Sequence, residues 1–377
     1  MAAVAGATFT VVTSEMLPVG LLTPIGGTLG VSEGAAGLTL TVTGVVGAVA
    51  APLLTAALGR LDRRLVLCAL MAVLAAGNLL AAWSPHFAVL VVARVLVGAG
   101  MGGVWAVAAH LAVRLVPGRS VGPATSLVFG GIAVASVLGV PAGTYLGEAA
   151  GWRSAFAAGA ALSLVVLAAL AVLLPRLPAG PRVGLGGVVR VGARPAVATG
   201  LGVVVLLVTG HFAAYTYVRP AVERLFAADA SVIGTLLLVY GVAGVVGNFA
   251  AGAGASRSPR GVLVVVSLVL AATVCLVPLT GGSVVTAGVL LAVWGLAYGG
   301  VSVAAQTWLL TAAGEAREAV SALFAGVFNG AIAVGAFVGG LVADGAGVRA
   351  VMYLGAALAA GALAVAALGR APGGDRL

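Results

Sequence analysis

The chain has 377 residues, 62% of them hydrophobic and only 8% charged, and its net charge of +9 comes from arginine alone because lysine is absent. With a mean hydropathy of +1.22, this composition excludes a soluble globular domain and indicates a polytopic membrane protein. The arginines lie mostly between apolar runs with no aromatic-interleaved basic stripe, which excludes nucleic acid as a partner. A chain without lysine also holds no Walker A motif, so it carries no conventional P-loop ATPase.

The first apolar run, Ala2 to Ile25, is long enough to cross a bilayer. It lacks a basic n-region and outlasts an h-region, so it reads as helix 1 and not as a signal peptide. No polar leader precedes it, and the true start is expected a few residues upstream. Glu15 lies near its middle. A carboxylate at that depth costs at least ~2.5–3.5 kcal/mol on insertion scales, which turns it toward protein or water and makes it a functional candidate. Pro18, three residues on, removes a backbone hydrogen bond and bends the helix, as in the wall of a cavity.

A short turn at Gly30 to Gly34 leads to apolar runs at about Ala36 to Leu58, Leu65 to Trp83, Phe87 to Val113, Val121 to Leu146 and Trp152 to Leu174. The interval Pro175 to Pro195, rich in proline, glycine and arginine, reads as a linker. Six more runs follow at about Ala196 to Val218, Val232 to Ala255, Val262 to Leu279, Val284 to Ala312, Ala319 to Ala343 and Ala350 to Leu368. The expected fold is therefore an all-α membrane protein of twelve transmembrane helices in two pseudo-symmetric six-helix bundles. Residues 1–174 form the N-terminal bundle, 175–195 a cytoplasmic linker and 196–377 the C-terminal bundle. Cys68 and Cys275 both fall inside apolar runs and suggest neither a disulfide nor a metal site.

Arginine placement sets the orientation, since cytoplasmic loops keep positive charge. With the amino terminus inside, 14 arginines fall on inner loops and the tail and 4 on outer ends, while Arg94 lies within a span. Both termini are expected to be cytoplasmic.

A shift of 196 residues superposes Gly151 and Arg153 on Gly347 and Arg349, Arg64 on Arg260, Gly139 and Gly143 on Gly335 and Gly339, and Thr13 and Pro24 on Thr209 and Pro220. The halves read as one duplicated unit with the same sense across the membrane, a plan that places substrate between halves. In this register Glu15 falls on His211. Each precedes its matching proline by nine residues, roughly 14 Å along a helix. A carboxylate and an imidazole at one depth are placed to exchange a proton, histidine titrating near neutrality; the alternative is a static pair that locks two helices.

In helix 10, Trp294, Tyr298, Ser302 and Gln306 recur every four residues and so share one face, a stripe suited to sugars, nucleosides or aromatic drugs or, alternatively, to helix packing. Trp308 lies off this stripe and is expected at the membrane interface. His110 falls on Gln306 under the same shift and suits a gate or interfacial position. Asn329 and Tyr215 are further cavity candidates. Gly98 to Gly103 matches G-x-G-x-x-G and Gly118 to Gly122 matches G-x-S-x-G, yet neither follows a strand, so no cofactor site or nucleophile elbow is assigned. No paired catalytic carboxylates, metal ligands or nucleophile-base pair stand out, so no enzyme, cofactor or metal is expected.

These stretches resemble the major facilitator superfamily, and within it the bacterial drug:proton antiporter branch of sugar, purine nucleoside and chloramphenicol exporters. The resemblance rests on Thr13-Ser14-Glu15-Met16-Leu17-Pro18 in helix 1, Thr209-Gly210-His211-Phe212 with Tyr215 and Pro220 in helix 7, Arg94 with Gly98 and Gly100 in helix 4, and Gly139-Val140-Pro141-Ala142-Gly143 in helix 5. The family's acid after helix 2 corresponds to Gly59, with Asp62 as a stand-in, and its second-half counterpart to Ser256. The resemblance implies a bacterial plasma (inner) membrane exporter, working as a monomer in the lipid bilayer, that couples proton entry to efflux of a small organic solute. The alternative is a proton-independent facilitator or importer of a sugar or nucleoside. Glu15, Arg94 and His211 are the expected proton-coupling residues. Glu15, His211, Tyr215, Trp294, Tyr298, Ser302, Gln306 and Asn329 are the expected substrate-binding residues.

Overall fold

The computed structural model describes residues 1–57, 61–115, 127–128, 131, 134–175, 191–314 and 316–369. The chain divides into two compact units, Met1–Arg182 and Val183–Leu377.

In the first unit, α1 (Ala2–Leu29) is buried on nearly every side from Thr8 to Leu22 and packs on the other helices of the unit. A helix apolar all round finds its place at the centre of a bundle. It ends on Gly30 in the left-handed conformation, φ 65°. Next come α2 (Glu33–Ala57), α3 (Arg63–Ala82) and α4 (Phe87–Leu115). Asp62 caps α3, its carboxylate accepting the Arg64 amide at 2.8 Å, which satisfies one of the orphan donors of the first turn. A π-helical turn, Ala135–Gly139, feeds into α5 (Val140–Ala150), and α6 (Trp152–Leu173) follows.

The second unit holds α7 (Pro195–Tyr215), α8 (Val218–Phe226), α9 (Ala230–Ala255), α10 (Pro259–Thr280), α11 (Val284–Gly299), α12 (Val301–Ala313) and α13 (Arg317–Leu368). Gly347, with φ 80° and ψ 171°, breaks α13 into two spans. Among the described residues ten helices are long and apolar enough to cross a membrane. The break at Gly347 divides the last of them, and the expected fifth run contributes α5, so the chain has the twelve spans of the sequence reading. The first part of that fifth run, most of the linker, Gly59 and the Gly118 to Gly122 motif lie outside the described residues, as does the side chain of His110.

The duplication is visible in contacts internal to each unit. Gly151 and Gly347 both take positive φ, 82° and 80°. Arg64 donates to the carbonyl of Ala171 at the end of α6, and Arg260 donates to that of Ala367 at the end of α13, again 196 residues on. Asp62 and Ser258 cap the matching helices α3 and α10. A Cβ added at Gly139 or Gly335 would strike Thr13 or Thr209, its counterpart on the first helix of each unit.

The offset is one residue larger in two of the helix pairs. An added Cβ would lie 2.7 Å from the Thr43 carbonyl oxygen at Gly98 and 2.1 Å from that of Tyr240 at Gly295; the next turn repeats this with Gly102 on Gly47 and Gly299 on Gly244. These close backbone approaches, which only glycine allows, match at 197 and not 196. The left-handed caps Gly30 (φ 65°) and Ala227 (φ 51°) are also 197 apart. The extra residue therefore enters before Ala227, in the stretch after α7 that carries α8. In the longer register His110 falls on Thr307, which corrects its pairing with Gln306.

Trp308 is not interfacial. It is fully buried, and its Nε1 donates to the Ala196 carbonyl at 2.9 Å, tying α12 to the start of α7. A main-chain acceptor satisfies the indole N–H, so nothing holds the ring at a wet surface.

Candidate functional site

The polar centre of the first unit begins with a proline. Pro18 has no N–H, so the Ser14 carbonyl four residues earlier has lost its helical donor. Arg94, on α4 and fully buried, supplies one: its Nη1 donates to the Ser14 carbonyl at 2.7 Å. Its Nη2 donates to the Glu15 carbonyl at 2.8 Å and its Nε to the Thr39 carbonyl of α2 at 3.0 Å. The planar guanidinium thus clamps α1 and α2 with three of its donors. It reaches the main chain of Glu15, where the sequence reading had placed it in proton movement.

The Glu15 side chain is 5% exposed, and its Oε1 has no hydrogen-bond partner among the described residues. Next to it, Asn78 Nδ2 of α3 donates to Ser14 Oγ at 2.8 Å, and Asn78 Oδ1 and Thr13 Oγ1 are further buried oxygens without partners among the described residues. Buried polar atoms are nearly always satisfied, and exceptions concentrate where a proton, ion or ligand is exchanged. Asp62, the stand-in for the family's loop acid, serves as a helix cap.

Among its described residues the second unit has no counterpart of this clamp. Ala214 stands where Pro18 would, with its N–H present, and the position matching Arg94 in the longer register is Leu291. In place of the acid sits His211, 3% exposed, inside a nest of rings. Trp294 Nε1 donates to His211 Nδ1 at 3.0 Å. An indole N–H only donates, so Nδ1 is unprotonated and the neutral ring carries its hydrogen on Nε2, which lies 3.4 Å from the Tyr240 hydroxyl. Adding a proton at Nδ1 would set two donors face to face. Tyr298 stacks on the imidazole with centroids 3.3 Å apart and planes 8° from parallel; Tyr215 stacks at 5.0 Å and 19°. Phe212 and Trp294 meet it edge-on, at 89° and 87°.

The structure thus gathers His211, Tyr215, Trp294 and Tyr298 as the sequence pattern indicated. Ser302 and Gln306 lie past Gly300 on the same span, Val284–Ala313, and are exposed. Asn329 turns its amide back to the Ala325 carbonyl of its own helix at 2.9 Å. No described contact joins these three to the ring cluster. Tyr240 was missed, although a tyrosine in mid-span is itself a signal of polar purpose. Asn78 was missed for the same reason, and the Ser14 to Pro18 spacing already marked an unserved carbonyl.

A twelve-helix membrane protein built from two repeats around buried mid-span polar groups is a secondary transporter in plan. The chain belongs to the Major Facilitator Superfamily, whose family model matches residues 4–313. It is therefore a multi-pass membrane transporter and not an enzyme. Among its relatives is the purine ribonucleoside efflux pump NepI of Escherichia coli (strain K12), 34% identical over 295 residues, which cover 78% of this chain and 74% of that one. The NepI of Shigella flexneri matches over the same extent at the same identity. The fold resembles the crystal structure of a bacterial homolog of the human lysosomal transporter Spinster, inward-facing and occupied, with a TM-score of 0.76 at 15% identity over 97% of this chain and 95% of that one.

Proposed function

We propose that this transporter exports a small solute with a planar heteroaromatic ring, of the purine nucleoside kind, in exchange for a proton carried by Glu15. The observation that carries the reading is the Glu15 carboxylate, buried with Oε1 unpartnered while the adjacent Arg94 donates to main-chain carbonyls. Such an oxygen takes a proton or a donor from solute, and the two ligands compete for it. Coupling then follows because each favours a different conformational state. Arg94 holds the bent α1 so that Glu15 keeps its place. The ring nest around His211 offers stacking faces, and the export of purine ribonucleosides by the NepI relatives favours a nucleobase as the group that stacks there.

The proposed arrangement has residues 1–174 and 196–377 as two bundles joined by a cytoplasmic linker, both termini cytoplasmic and the monomer as the working unit, in a bacterial inner membrane. The test is solute-driven proton release from proteoliposomes, comparing wild type with Glu15→Gln over purine nucleosides, pentoses and phenicol drugs. Proton release with a nucleoside that disappears in a folded Glu15→Gln variant supports exchange. Solute movement without protons, unchanged in the variant, would make the protein a facilitator and Glu15 a structural acid.

A further inference from the structure

We infer that Tyr298 is a gate ring, seated in the very slot on His211 where the planar ring of the solute stacks, so that solute binding means exchange of one ring for another. This deepens the proposed nucleoside export and rests on it for the identity of the solute. Three observations carry it. Both nitrogens of His211 face ring partners, Trp294 and Tyr240, so the imidazole edge offers a newcomer no site and recognition falls to its faces. One face is overlapped almost fully by Tyr298, at 3.3 Å and 8°, the separation a stacked base would take. The ring partners His211, Tyr215, Tyr240 and Trp294 are buried, whereas Tyr298 is the partly exposed ring of the stack.

The chain around Tyr298 separates fixed from movable parts. Gly295 and Gly299 bring α11 into backbone contact with α9, at positions where a Cβ would fall 2.1 and 1.9 Å from a carbonyl oxygen, so the helix itself is pinned. Tyr298 lies on the last turn of α11, two residues before the Gly300 junction with α12. Its side chain swings about its own torsions on a fixed helix. Stacking needs a flat π-face and no particular donor pattern, so the slot takes a purine or another fused heteroaromatic ring and rejects a pentose that lacks one.

The experiment measures inosine binding to the full chain in detergent by equilibrium dialysis, for wild type, Tyr298→Phe and Tyr298→Ala. Removing the competing ring is expected to tighten binding about three- to tenfold in Tyr298→Ala, the equivalent of one aromatic stack, and Tyr298→Phe should stay within about twofold of wild type. Weaker or unchanged binding in Tyr298→Ala would overturn the gate and leave nucleoside export standing. Should Tyr298→Ala not fold, Tyr298→Val makes the same comparison. A second readout needs no solute: phenol should refill the slot and raise the unfolding temperature of Tyr298→Ala while leaving Tyr298→Phe unmoved. If wild type ignores inosine but phenol stabilises Tyr298→Ala, the nucleoside assignment fails and the ring slot holds. If phenol stabilises neither variant, the slot inference fails.

Discussion

Replacing Arg94 by leucine, the residue the second unit carries at the matching position, should destabilise the protein only as long as Pro18 is present. In Arg94→Leu the Ser14 carbonyl loses its 2.7 Å donor inside a fully buried site, and Pro18 has no N–H to replace it. Leaving one buried acceptor unsatisfied costs about 1–3 kcal/mol. The Glu15 and Thr39 carbonyls fare better, since Val19 and Thr43, four residues further on, each have an N–H. In Pro18→Ala/Arg94→Leu the amide of residue 18 serves Ser14 again, so most of the loss should be recovered. The four proteins form a double-mutant cycle with an expected coupling of about 1–3 kcal/mol, read from reversible SDS-induced unfolding in mixed micelles. A coupling below about 0.5 kcal/mol would show that Arg94 does not stand in for the missing proline N–H. Proton release restored in the double variant would confine Arg94 to holding α1; release still absent would give its charge a share in coupling.

Gly299→Ala should be more harmful than Gly102→Ala, because the added carbon meets a backbone oxygen at 1.9 Å in one and 2.5 Å in the other; overpacking costs of about 1–3 kcal/mol are expected, ordered this way in the same unfolding assay. Asp62→Ala and Ser258→Ala remove equivalent caps from α3 and α10 and should each cost about 1 kcal/mol, with Asp62→Asn nearly neutral. Trp294→Phe keeps an edge-on ring but removes the donor to His211 Nδ1, with an expected loss of about 1–3 kcal/mol. A loss below about 0.5 kcal/mol would mean that the bond to the imidazole contributes nothing.

The spans were legible because a bilayer demands long apolar runs, and the repeat because Gly151 and Gly347 must be glycine for the same backbone reason, a positive φ. Glu15 and His211 were legible because polar groups at bilayer depth are expensive and hence rare. What the helical row in helix 10 could not reveal was which of its side chains are covered: Trp294 is buried and Tyr298 partly so, whereas Ser302 and Gln306, one and two turns further on, are exposed. Trp308 was misplaced because the interfacial preference of tryptophan is statistical, while its acceptor, the Ala196 carbonyl, belongs to a helix 112 residues away. The contacts of Arg94 were hidden in the same manner, since Ser14 lies 80 residues from it and no local pattern joins the two.

The one-residue slip between the repeats also constrains how such a chain can be recombined. Helices α2 and α4 sit at an offset of 197 from α9 and α11, whereas α3 and α5 keep 196. The two slipped helices of each half lock onto each other through their glycines, backbone to backbone, and share one offset. A chimera that grafts α9 alone into the first half at the 196 offset would set its carbonyls one residue, about 100° of helix, wrong against α4. Grafting α9 with α11 carries the interlock intact, which makes the pair, and not the single span, the smallest exchangeable part of this transporter.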